Sequence, residues 1–321
     1  MWADQSADYI HIFSYGQSLS RGSIGIPARP TTQPYNNKTF LSGVLIQPGD
    51  NADLRTDKVY DASAFKPLIE KRLGDHPSAE IPVSSTLNGL CDLIKADVAQ
   101  SVNKWSFVGS APGRGGVSIK LLGPGTGYWQ GLISQIHDAM SIAEAEGKSY
   151  AVWAMTWAQG ENDPSISLND YQTTLLALKD DFIDQTRNIT GQSLVPLLVS
   201  YQTAAHKRYK RNFNNPAISQ WRQALNDPDI VMATPIYHLP HANDKLHLTN
   251  DSYVQLGKYF ARALYQTIFT ENPWEPLWPK SINWYTDAVE IVFNVPTGTL
   301  KWDSKLVQRA PNYGFDLWRT C

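Results

Sequence analysis

The stretch that decides the fold is Tyr150–Ala158, which reads YAVWAMTWA and is followed at once by the polar residues QGEND. Nine residues rich in apolar and aromatic side chains, without strict alternation, are typical of a β-strand that is covered on both faces. Strands of this kind occur in parallel sheets that carry helices on either side. Four further runs have the same character: Tyr9–Tyr15, Trp105–Gly109, Val195–Tyr201 and Ile230–Ala233.

Helical patterns separate these strands. Apolar residues recur at three- and four-residue steps from Leu87 to Val102, from Trp129 to Met140 and from Tyr171 to Phe182. A last helix is predicted to begin near Thr249, a good N-cap residue. This alternation predicts an α/β fold of three layers, α/β/α, around a central, mainly parallel five-stranded sheet of the flavodoxin-like type. Such sheets place their functional groups at the carboxyl ends of the strands.

Two regions depart from this alternation of strands and helices. Residues 22–84 are polar and rich in Pro, Asn and Gly, which predicts a long loop insertion that serves as a lid or as a wall beside a site. After Thr270, a proline-rich stretch is followed by three predicted short strands, Ala288–Val295, Thr299–Trp302 and Gly314–Trp318. We therefore expect one large domain over residues 1–270 and part of a β-rich C-terminal module over residues 271–321.

The composition excludes several classes of protein. A formal net charge of -2 leaves no excess of Lys and Arg for binding nucleic acid or an acidic membrane surface. No apolar stretch reaches the roughly 20 residues of a membrane span, and no secretory signal is visible at the start of the chain. Since Cys91 and Cys321 are the only cysteines, neither a disulfide framework nor a zinc site is expected. A catalytic thiol at Cys91 is a minor alternative.

Polar segments follow three of the predicted strands. After the first strand, Ser18 lies in the sequence SYGQSLSRG, and a Ser in such a turn presents its hydroxyl beside backbone N–H groups. After the second, the clustered glycines of Gly113–Ile119 leave N–H donors open to a ligand. A phosphate site in this stretch or in Gly123–Gly127 is disfavoured, because neither contains a P-loop or a dinucleotide-binding pattern.

The third polar segment, Trp157–Asp163, follows the strand quoted first. It offers amide and carboxylate side chains within one turn: Gln159, Glu161 and Asn162. Late in the chain, Asp244 precedes His247 by three residues, just before the last predicted helix. A neutral His is the natural general base for a Ser, and a nearby carboxylate orients its ring. Metal binding by His247 together with His238 and His241 is a weaker alternative.

Taken together, these segments resemble the SGNH (GDSL-like) hydrolase superfamily, in particular its carbohydrate-esterase branch, which includes sialate O-acetylesterase-like proteins. Four short blocks carry the resemblance: Gly16-Gln17-Ser18, Gly115–Ile119, Gly160–Asp163 and Asp244-Lys-Leu-His247. It spans roughly residues 9–268, and the blocks stand in the order of the superfamily. Leu19 stands where many of these esterases carry Asn.

The resemblance implies a set of site residues. Ser18 would be the nucleophile, His247 the base and Asp244 the residue that orients it. The oxyanion hole would consist of the N–H groups of Ser18 and Gly116 with the side-chain amide of Asn162. Two alternatives stay open, Gly115 for Gly116 and Gln159 for Asn162. The side chains suggested for substrate binding are Gln17, Gln159 and Glu161.

The resemblance also implies a function. We expect residues 1–270 to be the catalytic domain of a serine esterase that removes O-acetyl groups from an acetylated oligo- or polysaccharide, without a metal or a cofactor. Alternatives are a lipase, thioesterase or arylesterase of the same superfamily, or a non-catalytic carbohydrate-binding, virion or cell-surface module. An extracellular, surface or virion-associated location is favoured over a cytoplasmic one. The oligomeric state is left open.

Overall fold

A computed structural model describes residues 7–29, 32–45, 60–69, 79–97, 104–209, 214–270, 274–303, 305 and 315. At its centre is a seven-stranded sheet with the order β3-β2-β4-β1-β5-β6-β7. The strands are β1 Tyr9–Gly16, β2 Lys38–Phe40, β3 Phe65–Pro67, β4 Ser106–Ser110, β5 Tyr150–Ala158, β6 Leu197–Gln202 and β7 Ile230–Pro235. All neighbouring strands are parallel except the β2–β3 pair.

The predicted α/β fold is confirmed. All five predicted strands are present, and their order, β4-β1-β5-β6-β7, is the flavodoxin-like order in which the first strand lies between the second and the third. Strand β5 has the predicted bounds, Tyr150–Ala158. Because the strand order reverses beside β1, the loops after β4 and β5 diverge there and leave a crevice at the carboxyl ends.

The sheet has two strands more than the five predicted. Strands β2 and β3 lie within residues 22–84, which were expected to form one long loop, and helix α1 also begins there, at Pro82. Each of the two strands is only three residues long, too short to give a periodic sequence pattern. The role of this region as a lid or wall stays a prediction.

Six helices surround the sheet in the described part of the chain. They are α1 Pro82–Ala96, α2 Gly127–Ala145, α3 Leu168–Thr190, α4 His206–Tyr209, α5 Asn215–Asn226 and α6 Asn250–Phe269. One core joins α1 and α6 to one face of the sheet, and a second joins α2 and α3 to the other. Helices α1 and α6 approach closely at Gly257, where a Cβ atom would lie 2.4 Å from Ser85 Oγ. None of the described helices is long and apolar enough to cross a membrane.

A separate antiparallel hairpin follows the last helix. It consists of β8 Trp278–Trp284 and β9 Val289–Asn294, so the strand predicted at Ala288–Val295 is confirmed. Strand β8 was not predicted, because prolines precede and interrupt it. The strand predicted at Thr299–Trp302 is wrong, since these four residues are described and belong to no strand. Gly314–Trp318 falls almost wholly outside the described residues, and the division into domains at residue 270 stays a prediction.

Candidate active site

Three of the segments singled out from the sequence meet where β1, β4 and β5 end. The N–H of Arg114 donates to the carbonyl of Gly16 at 2.9 Å, which joins the segment after β4 to the end of β1. The N–H of Asn162 donates to Gln17 Oε1 at 3.1 Å, which joins the segment after β5 to the same turn. These contacts form one surface at the topological switch point of the sheet.

The backbone around Ser18 is sharply bent. Gly16 has a φ of +136°, and a Cβ atom there would lie 2.2 Å from the carbonyl oxygen of Ala158, so this position has no room for a side chain. A 3₁₀ turn runs over Ser18–Arg21 and ends at Gly22 in the left-handed region. The Ser18 side chain is 8% exposed, and its hydroxyl makes no hydrogen bond among the described residues.

Gly115 lies beside Ser18, and both Gly115 and Gly116 are exposed. A Cβ atom at Gly115 would lie 3.7 Å from Ser18 Cβ, so its backbone is a near neighbour of the nucleophile candidate. Gly116 has a φ of +72°, and no atom lies within 4 Å of where its Cβ would be. The carbonyl of Gly116 accepts a hydrogen bond from Asn162 Nδ2 at 3.1 Å. This stretch therefore contacts both Ser18 and Asn162.

The two amide candidates point in different directions. Gln159 is fully buried, and its Nε2 donates to the carboxylate of Asp163. Asp163 also accepts from Ser118 Oγ at 2.5 Å and from the N–H of Ile119 at 2.8 Å, so it ties the segments after β4 and β5 together. Asn162 is exposed. The geometry favours Asn162 over Gln159 as a donor to a bound ligand.

Glu161 is buried beneath this turn, with only 1% of its surface exposed. Its Oε1 accepts from Tyr201 Oη at 2.7 Å and from Thr203 Oγ1 at 2.5 Å. Burial raises the pKa of this carboxyl, although these hydrogen bonds and the charge of His247 act in the opposite direction. Glu161 thus fastens the turn to β6, and Gln17, 2% exposed, fastens it to β1. These side chains face inward, so the geometry does not support their direct contact with substrate.

Asp244 and His247 form a close pair just before α6. A hydrogen bond of 2.5 Å joins His247 Nδ1 to Asp244 Oδ2, and Asp244 Oδ1 accepts from the N–H groups of Leu246 and His247, each at 3.0 Å. Lys245 has a φ of 60°, which allows this tight turn. Burial acts to raise the pKa of Asp244, but the hydrogen bonds and the charge of His247 outweigh it, so the pKa is lowered.

The start of α6 contacts the segment that follows the Ser18 turn. Thr249 caps the helix as predicted, and its side chain accepts from the N–H of Ser252. Arg29 forms an ion pair with Asp251, and Asn250 Nδ2 donates to the carbonyl of Pro27 at 3.0 Å. The residues that follow the Ser18 turn are therefore fastened to the helix that follows His247.

Comparison with known proteins adds the decisive observation. The sequence model of a family described as carbohydrate esterase, sialic acid-specific acetylesterase, matches residues 96–266, just over half of the chain. The chain belongs to this family. It is therefore a carboxylic ester hydrolase of the carbohydrate acetylesterase class, and the sequence-based recognition of that branch is confirmed. The match includes Asn162, Asp244 and His247, whereas Ser18 precedes it.

Solved structures confirm the fold of the esterase. A protein from Arabidopsis thaliana is 18% identical with a TM-score of 0.55, over 82% of this chain and 100% of that one. NanS is 13% identical with a TM-score of 0.55, over 81% of this chain and 98% of NanS. A carbohydrate acetylesterase from Xanthomonas citri is 15% identical with a TM-score of 0.52, over 89% and 62%. Comparison with curated proteins gives no match.

The geometry gives little support to a metal site at the three histidines or to a catalytic thiol at Cys91 in the esterase. His238 is hydrogen-bonded to Tyr259 Oη at 3.2 Å, and His241 is hydrogen-bonded to the carbonyl of Leu239 at 2.6 Å. No group of three His, Cys, Asp or Glu side chains suited to a metal occurs among the described residues. Burial raises the pKa of the Cys91 thiol to about 12, which keeps it protonated and unreactive at neutral pH.

Proposed function

We propose that the esterase removes O-acetyl groups from an acetylated oligo- or polysaccharide, with Ser18 as the nucleophile. The observation that carries this mechanism is the 2.5 Å hydrogen bond between His247 and Asp244. An ionised carboxylate only accepts hydrogen bonds, so Nδ1 of His247 carries the proton and Nε2 is left as a base. A serine hydrolase requires this tautomer.

The reaction follows from these roles. His247 Nε2 takes the proton of Ser18 Oγ as that oxygen attacks the acetyl carbonyl carbon. The tetrahedral intermediate then breaks its bond to the sugar oxygen, which receives the proton from His247. A water molecule, deprotonated by His247, then attacks the acetyl group on Ser18; the bond to Ser18 Oγ breaks, acetate leaves, and His247 returns the proton to Oγ. Contacts between nucleophile and base often tighten only when substrate binds, which accords with a Ser18 hydroxyl that is free of hydrogen bonds among the described residues.

We assign the oxyanion hole to the N–H groups of Ser18 and Gly116 and to the side-chain amide of Asn162. A primary amide has two N–H donors, and one of those of Asn162 donates to the carbonyl of Gly116. The second is left for the developing oxyanion. The nearness of Gly115 to Ser18 supports the placement of this stretch beside the reacting carbon.

Replacing Asn162 with alanine is expected to lower kcat by about 100- to 1,000-fold, the usual cost of one oxyanion donor. KM should change little, because the lost interaction strengthens in the transition state. The measurement is steady-state hydrolysis of an activated acetyl ester. Asn226→Ala is a matched control, since Asn226 is exposed and donates to the carbonyl of Arg222 far from the site. An unchanged kcat in Asn162→Ala would show that Asn162 is not a donor in the oxyanion hole.

The substrate class is tested by acetate release. The esterase should release acetate from O-acetylated glycans, and its kcat/KM on aryl esters should fall as the acyl chain lengthens from acetyl to octanoyl. Faster hydrolysis of octanoyl esters, without acetate release from any glycan, would point to a lipase or thioesterase of the same fold and would overturn the proposal. The expected extracellular, surface or virion-associated location stays a prediction.

A further inference from the structure

Tyr253 is a buried side chain that none of the steps above uses. It lies in the first turn of α6 and has no exposed surface. Its hydroxyl donates to the carbonyl of Ser23 at 2.9 Å. Its ring fills the space beside Gly25, where a Cβ atom would lie 2.4 Å from Tyr253 Cδ2. The ring and the hydroxyl therefore both contact the segment that follows the Ser18 turn.

One further hydrogen bond connects this contact to the nucleophile. The N–H of Ser23 donates to the carbonyl of Ser18 at 3.1 Å, so Ser23 closes the turn that begins at Ser18. The hydroxyl of Tyr253 binds the carbonyl of the same Ser23. The position of Ser18 is thus fixed to α6 through two consecutive hydrogen bonds.

The backbone of Tyr253 is bonded to the segment that follows the Asp–His pair. The N–H of Tyr253 donates to the carbonyl of Thr249 at 3.0 Å, two residues after His247. Burial raises the pKa of the Tyr253 phenol far above its ordinary value, so it stays neutral and keeps its proton for Ser23.

We propose that Tyr253 is a positioning residue whose hydroxyl holds the Ser18 turn and the His247 loop at the separation that proton transfer requires. The inference rests on the proposed roles of Ser18 and His247. Tyr253 contacts neither substrate nor the reacting atoms in this scheme. It acts on the geometry between nucleophile and base, where a displacement of about 1 Å can cost about 100-fold in rate.

The first test is Tyr253→Phe, which keeps the ring and removes only the hydroxyl. We expect kcat on an acetyl ester to fall about 10- to 100-fold, with KM within about twofold of the unmodified enzyme. The rate at which an arylsulfonyl fluoride labels Ser18 should fall by a similar factor. Tyr265→Phe is the matched control, because Tyr265 lies on the same helix and its hydroxyl donates to Asp97 Oδ2 at 2.6 Å, far from Ser18. Its kcat should be unchanged.

A double-mutant cycle separates positioning from a general loss of structure. In a His247→Ala background no base remains to be aligned, so adding Tyr253→Phe should lower the residual rate by less than about twofold. A further drop equal to that in the unmodified enzyme, or an unchanged kcat in Tyr253→Phe alone, would overturn the positioning role. Full activity of Ser18→Ala and His247→Ala would instead overturn the proposed function itself. The two failures are therefore distinguishable.

Discussion

Replacing Ser18 with alanine is expected to lower kcat for acetyl ester hydrolysis by about a million-fold, the scale seen when a serine hydrolase loses its nucleophile. The bend at Gly16 and the turn over Ser18–Arg21 place this hydroxyl at the sheet edge, next to Gly115. Without it, the oxyanion site and substrate binding leave only a residual acceleration, about 1,000- to 10,000-fold over the reaction in water.

The measurement is acetate release under saturating substrate, with circular dichroism to confirm the fold. Ser42→Ala is a matched control, because Ser42 is 7% exposed, close to the 8% of Ser18, and its hydroxyl donates to the carbonyl of Asp61. Its kcat should be unchanged. An arylsulfonyl fluoride should label the enzyme without substitutions once, at Ser18, and leave the Ser18→Ala variant unlabelled. Retention of more than about a tenth of the activity in Ser18→Ala would contradict the assignment.

Replacing Asp244 with asparagine is expected to lower kcat by about 10,000-fold while the fold is kept. The carboxylate accepts a hydrogen bond from His247 Nδ1, whereas an amide nitrogen in its place donates one to that atom. The imidazole proton then moves to Nε2, the position that must accept the proton of Ser18. The expected loss comes from the wrong tautomer and not from a loss of packing.

The same substitution should change the dependence of stability on pH. The pKa of Asp244 lies below its ordinary value of 3.8 in the native state, so its ionised form stabilises the fold. That contribution is complete above the ordinary pKa and is lost as the pH falls through the lowered native pKa. Chemical denaturation at pH 7 and below pH 3 should show a smaller acid-induced loss for Asp244→Asn. Asp180→Asn, at an ion pair with Lys179 on α3, should keep the activity. Equal activity of the two variants would exclude Asp244 from the triad.

The central strands were predictable from sequence because each is long and apolar. Tyr150–Ala158 has nine such residues, and its burial on both faces leaves little ambiguity. Helix α5 had no comparable signal, because the face it buries is largely polar. Gln220 donates to the carbonyl of Gln159 at 2.7 Å and accepts from the N–H of Thr203 at 2.9 Å. Hydrogen bonds stabilise this contact, and hydrogen bonds between distant residues produce no apolar periodicity.

The candidate site likewise contains some features that could be predicted from the sequence and others that could not. Asp244 and His247 are three positions apart in one turn, so their pairing could be inferred from the sequence. The directions of Gln159 and Glu161 could not, because they depend on how the turn after β5 bends at Gly160, whose φ is +136°. The sequence pattern places Tyr253 on the apolar face of the last helix but gives no sign of its positioning role, which depends on a contact with a distant part of the chain.

That contact has a consequence for the order in which the protein matures. The hydrogen bond between Tyr253 and Ser23 joins positions 230 residues apart. Contacts between distant parts of a chain cost the most entropy to close and slow folding. During synthesis, Ser18 leaves the ribosome long before the helix that must dock against its turn. A nascent chain without α6 lacks this docking contact, so ester hydrolysis would report the completion of folding.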